Sequence, residues 1–228
     1  MSELRPDKPA RDTSAVDEIG WTGGVMRVLR RVTRLVEVNV LVLLGALAGG
    51  VVLGLWPAVR AAGVLLLDGD PAESPWRPFW REWLAGWRRA NVLGAPLTIG
   101  GAALLLDLAV LGQLDGPGRA ALQLGLILVG AWGAVVLAYW PRVVLRYDRS
   151  ALDTWRFLLL SPALGPGTAV GAVVVLGVCG LVAYVVPLLG LLAGIAVPLW
   201  LTGLMVDERL NRMDEISRPD DVRRPSAG

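Results

Sequence analysis

Residues 168–206 read TAVGAVVVLGVCGLVAYVVPLLGLLAGIAVPLWLTGLMV, 39 positions without a charged side chain. As one helix this run would reach about 58 Å at ~1.5 Å per residue, nearly twice the hydrocarbon thickness of a bilayer. Two spans are therefore expected, 168–186 and 188–206, folded as a tight hairpin at Pro187; a proline-broken long segment is the other option. Working outward, three more runs reach the length of about 20 apolar residues that a spanning helix needs: 35–55, 92–114 and 120–139. The composition agrees, with 54% hydrophobic and only 18% charged residues and a mean hydropathy of +0.56. The fold class expected is all-α, a polytopic integral membrane bundle of about five transmembrane helices with amphipathic interfacial helices. Residues 1–20 are polar, contain Pro6 and Pro9, and read as a disordered arm; residues 216–228 read as a disordered tail.

Between the first two runs lies WRPFWREWLAGWRRAN, residues 76–91. Trp76, Trp80, Trp83 and Trp87 are spaced by four, three and four, so on a helix their indoles share an arc of roughly 60°. Arg77, Arg81 and Arg88 repeat the pattern one residue later, and Arg89 follows. Indoles favour the headgroup level and arginine stems reach phosphate, so residues 76–90 are expected as an interfacial helix lying on the membrane or docking a partner. The alternative is that it packs beneath the bundle, where the same stripe would be core. The lead-in Arg27, Arg30, Arg31 and Arg34, interleaved with Val28, Leu29, Val32 and Leu35, also reads as an amphipathic helix.

Arginine placement bears on topology. Residues 56–91 carry five arginines, 140–167 four and the C-terminal tail five, whereas 115–119 carry one. These three rich regions should share the cytoplasmic side. Five crossings would put the N-terminus outside, yet it carries seven Lys and Arg. Either that arm is translocated against its charge, or residues 35–67 enter and leave the same face, bending at Gly49 and Gly50 or at Trp56 and Pro57.

Polar groups inside apolar runs are the usual functional candidates. Asp107, in LLLDLAV, would either face the bundle as a structural group or line a transport path. Glu37 and Asn39 open the first run, where a helix N-terminus explains a carboxylate without any mechanism. Glycine pairs at GxxxG spacing, Gly45 with Gly49, Gly50 with Gly54, Gly167 with Gly171 and Gly190 with Gly194, are expected as packing aids. With no histidine and one cysteine, Cys179, an internal disulfide is excluded and no metal site of His or Cys type is expected. No nucleophile elbow, phosphate loop or paired carboxylates occur in an apolar frame, so an enzyme is the weakest reading and no cofactor is expected. The net charge of +2 argues against nucleic acid, leaving membrane lipids, anionic ones included, as the expected partners.

Residues 54–63 read GLWPAVRAAG, and a short apolar helix, a polar linker and PFWREWLAGWRRANVLG follow. With the later YWPRVVLRYDRSALDTWRFLLLSP at 139–162, this order resembles the YesL family of bacterial membrane proteins, a domain-of-unknown-function group (624). There a Gly-x-x-Pro-Ala-Thr-x-Ala element ends the first membrane segment; Gly54, Pro57, Ala58 and Ala61 match it. Val59 replaces the threonine and Arg60 follows. The resemblance implies a multi-pass protein of the bacterial plasma membrane, without established activity, associated with carbohydrate uptake and sugar ABC transporter subunits. The functional expectation is a non-catalytic accessory or scaffold component. The alternative is a small oligomeric transporter or channel with Asp107 in its path.

Overall fold

A computed structural model describes residues 13–70, 73–146, 150–160 and 166–216, almost all of them helical. The helices are α1 (Thr13–Ala48), α2 (Val52–Gly63), α3 (Trp76–Leu111), α4 (Pro117–Arg146), α5 (Ala151–Leu160), α6 (Pro166–Val185), α7 (Pro187–Ala193) and α8 (Ala196–Ile216). A π-helical turn, Val64–Asp68, extends α2. Residues 13–20, expected in the polar arm, begin α1 instead; Pro9 is the last proline before residue 57, so nothing of that kind stops the helix. The remainder of the expected arm, 1–12, and the tail from 217 lie outside the described residues.

The first apolar run does not continue through residue 55. It stops at Ala48 and turns back. The Gly50 N–H bonds the Leu47 carbonyl at 3.0 Å and the Val51 N–H bonds the Ala46 carbonyl at 2.7 Å, which together form a Schellman C-cap. Gly50 takes the positive φ of 70° that this cap requires, and Val51 follows at φ 65°, a strained value for a β-branched residue. The returning α2 lies so close to α1 that a Cβ on Gly54 would strike the carbonyl oxygens of Gly45 and Ala46. A Cβ on Gly49 would in turn strike the Gly54 backbone, so glycine at both 49 and 54 permits backbone-to-backbone packing in this hairpin. The bend expected at Gly49 and Gly50 is the one the chain adopts.

Among the described residues, three helices are long and apolar enough to cross a membrane, α3, α4 and α6 from Gly167; the α7–α8 pair, bent by 59° at its break, makes a fourth if counted as one span. The expected interfacial helix 76–90 and the run 92–114 form a single 36-residue α-helix. Pro96 sits inside it, but proline removes only one backbone donor and the flanking turns hold. At Val186 and Pro187 the chain reverses, so that a Cβ on Gly190 would meet Ala183 Cβ at 2.8 Å, and Gly171 faces Met205. A chain that doubles back at 49–51 and then crosses with α3, α4, α6 and the α7–α8 pair has all four arginine-rich regions on one side. This removes the conflict that five crossings create.

The core sits at one end of the bundle. Trp140, Tyr139, Phe79, Leu41 and Leu93 are fully buried there, among α1, α2, the first half of α3 and the second half of α4. The far halves of α3 and α4 are bare: Leu105, Leu106, Ile127, Leu128 and Val129 are 58–70% exposed. Leucine and isoleucine displayed this densely are stable against lipid tails, not water.

Candidate functional site

The first half of α3 is pinned by its aromatic face. Phe79 is fully buried, Trp83 is 8% exposed, and Trp80 and Trp87 pack at the edge of the same core. The rings of Phe79, Trp80, Trp83 and Trp87 form an edge-to-face ladder with centroids 5.5, 5.5 and 4.5 Å apart. Trp83 Nε1 donates to the Gly54 carbonyl at 3.4 Å. The tryptophan stripe is therefore largely packing against the hairpin, and only Trp76 is widely exposed. This corrects the picture of a separate helix lying flat on its indoles. The arginines behave otherwise: Arg77, Arg81 and Arg88 all stand on the outer surface and Arg89 is half-buried. Arg81 is 3.8 Å from Glu82.

The element Gly54, Pro57, Ala58 and Ala61 is buried at the centre of this end. Trp56 Nε1 donates to Thr98 Oγ1 at 2.7 Å, and the Trp56 ring tilts against Trp140 with centroids 4.9 Å apart. Trp140 Nε1 in turn donates to the Leu93 carbonyl of α3 at 3.0 Å. Gly94 makes room for the Trp56 indole, since a Cβ there would overlap the ring. Three helices, α2, α3 and α4, are thus keyed by two indoles whose polar edges are both satisfied. Arg60, next to the departure from the family element at Val59, has a task of its own. Its Nη1 donates to the Glu82 carbonyl at 3.1 Å and approaches Glu82 Oε2 at 3.4 Å, over Gly86.

Further polar clamps join distant parts of the chain. Arg142 Nη1 donates to both carboxylate oxygens of Asp68, at 2.9 and 3.0 Å, while its Nε donates to Asp207. One guanidinium therefore ties the end of the π-helical turn, α4 and α8 together. Asn39 is fully buried: Nδ2 donates to the Leu191 carbonyl at 2.7 Å, and Oδ1 accepts from the N–H groups of Ile195 at 2.9 Å and Ala196 at 3.1 Å. It thereby satisfies both backbone polarities at the α7–α8 break, where helix ends leave donors and acceptors without partners. Sequence reading treated Asn39 as the neighbour of an interfacial carboxylate and missed this; an uncharged amide in an apolar helix was the available signal.

Asp107 is on the exposed outer half of α3, beside Leu106 and Leu108, away from these clamps. Among the described residues, no group of three or more His, Cys, Asp and Glu side chains gathers as a metal site. The clusters around Arg60 and Arg142 carry their cations and carboxylates in hydrogen-bonded pairs and triads, an arrangement that fixes helices against one another.

Residues 35–108, from the membrane half of α1 through most of α3, match a family described as protein of unknown function, DUF624. The chain is 32% identical over 180 residues to the uncharacterized protein YesL of Bacillus subtilis (strain 168), an alignment covering 76% of this chain and 83% of that protein. No solved structure matches the chain.

Proposed function

The chain belongs to the YesL family, whose function is unknown, and on that premise we propose that it is a non-catalytic accessory subunit of an ABC-type carbohydrate importer. It lies in the bacterial plasma membrane, with its arginine-rich end and C-terminus in the cytoplasm. The observation that carries this reading is the division of labour on α3. The aromatic face of residues 76–90 is committed to the hairpin, which leaves Arg77, Arg81 and Arg88 outward as a row of cations on an anchored helix. Such a row of guanidinium groups suits a partner's carboxylates or the phosphates of anionic lipid. The association with carbohydrate uptake comes from the family resemblance and from nothing in the site.

The test is purification of the tagged protein in gentle detergent from cells grown on several carbohydrates. Importer permease and ATPase subunits should co-purify stoichiometrically, and the triple substitution Arg77→Glu, Arg81→Glu, Arg88→Glu should release them. Recovery of the protein alone as a defined oligomer would contradict the proposal and move attention to the alternative, a small oligomeric transporter. In that arrangement a second copy would have to cover Asp107, since within one chain it faces outward.

A further inference from the structure

A hollow of about 340 Å³ lies between α1, the π-helical turn and α8. Its walls are Arg27, Arg30, Arg31, Arg34, Leu35, Leu65, Leu66, Gly69 and Trp200, four cations and no carboxylate. The four arginines stand at i, i+3, i+4 and i+7 of α1, so they share one helical face. Like charges at this spacing repel, and an anion among them removes the penalty. Arg34 and Arg31 are held in place by contacts across the hollow. Arg34 donates Nη2 to the Leu65 carbonyl at 3.0 Å and Nη1 to the Glu73 carbonyl at 2.9 Å, both neutral acceptors. Arg31 lies over the Trp200 ring, 5.4 Å from its centroid. Glu37 and Glu73 line an adjoining hollow that shares Arg30 and Arg34 with this one.

We propose that this hollow binds a phosphoryl group, and that the group is the headgroup phosphate of an anionic phospholipid. Planar guanidinium groups recognise phosphate through paired N–H donors, and pre-positioned ones lose less freedom on doing so. The lipid source is favoured over a free phosphate by the rest of the wall. Leu35, Leu65, Leu66 and the Trp200 ring offer an acyl chain an apolar bed beside the cations. Val25, Val28, Leu29 and Val32, each at least half exposed on α1 between these arginines, suit the boundary between headgroups and tails. This site is separate from the α3 arginine row, and the proposal does not depend on the accessory reading.

The experiment is native mass spectrometry of the full chain released from neutral detergent, titrated with phosphatidylglycerol, phosphatidylcholine or inorganic phosphate. Wild type should retain phosphatidylglycerol in preference to phosphatidylcholine. The Arg30→Gln, Arg31→Gln pair should weaken retention by about thirtyfold, at about fivefold per cation. Trp200→Leu should weaken lipid binding more mildly, and Arg119→Gln, an exposed cation at the opposite end of α4, should leave it unchanged. Helix content and elution volume report whether each variant is folded; the replaced arginine side chains at 30 and 31 are exposed, so folding should persist. Equal retention of both lipids, or equal retention by the Arg30 and Arg31 variant, would overturn the site. Inorganic phosphate competing with phosphatidylglycerol at equal concentration would overturn the lipid assignment.

Discussion

The two halves of α3 contrast sharply. From Trp76 to about Thr98 the helix is locked by buried rings, glycine contacts and side-chain hydrogen bonds to α2 and α4. From Ile99 to Leu111 it shows bare leucine and valine, and Gly100 and Gly101 have nothing within 4 Å of where a Cβ would stand. The first half is specified by the protein and the second by its solvent. In lipid, tails are as apolar as leucine, so bringing outer helices together gains little, while directional bonds at the base fix the arrangement. Sensitivity to substitution should therefore be concentrated at the arginine-rich end.

The largest effect is expected at Gly54. A Gly54→Val substitution places methyl groups into the α1 carbonyls and should cost more than about 4 kcal/mol, read as loss of the monodisperse protein on gel filtration. Gly125→Ala, in the open outer half of α4, should be neutral or stabilising by up to about 1 kcal/mol, because alanine is the better helix former. If both substitutions behaved alike, the contrast would be gone.

Next in size is Asn39→Leu, which strands a carbonyl and two N–H groups at the α7–α8 break. A loss of about 2–4 kcal/mol is expected in thermal unfolding in detergent. Arg142→Met removes the group that joins Asp68 to Asp207. Asp68 is half exposed, so water offsets part of the loss, and about 1–3 kcal/mol is expected in the same assay. The smallest effects belong to Asp107→Asn and to Arg77→Gln, Arg81→Gln, Arg88→Gln. Each should leave stability within about 0.5 kcal/mol, so a partner lost from the arginine variant would report docking and not unfolding.

The helical membrane class and the positions of the apolar runs were legible because composition and run length act locally. The hairpin was legible only as an option, through the clash between arginine placement and five crossings. Its location rests on Gly50 and on the Gly45–Gly54 contact, which look in sequence like any other glycine pair. Trp76, Trp80, Trp83 and Trp87 were read correctly as one face, but periodicity does not say what a face meets; here it is α2 for most of the stripe. The clamps of Arg142, Arg34 and Asn39 were not legible. Their partners lie 31 to 157 positions away, and only the folded chain brings them together.

The claim on which the account turns is that α1 and α2 return to the side they start from. In a Cys179→Ala background, single cysteines at Val25, Ser74, Asp115 and Ser150 can be tested in intact cells with a membrane-impermeant maleimide. Asp115→Cys should label from outside, while Val25→Cys, Ser74→Cys and Ser150→Cys should label only after the membrane is opened. Labelling of Val25→Cys from outside together with Asp115→Cys would mean that the first run crosses the membrane, and would contradict the hairpin and the shared arginine-rich face built on it.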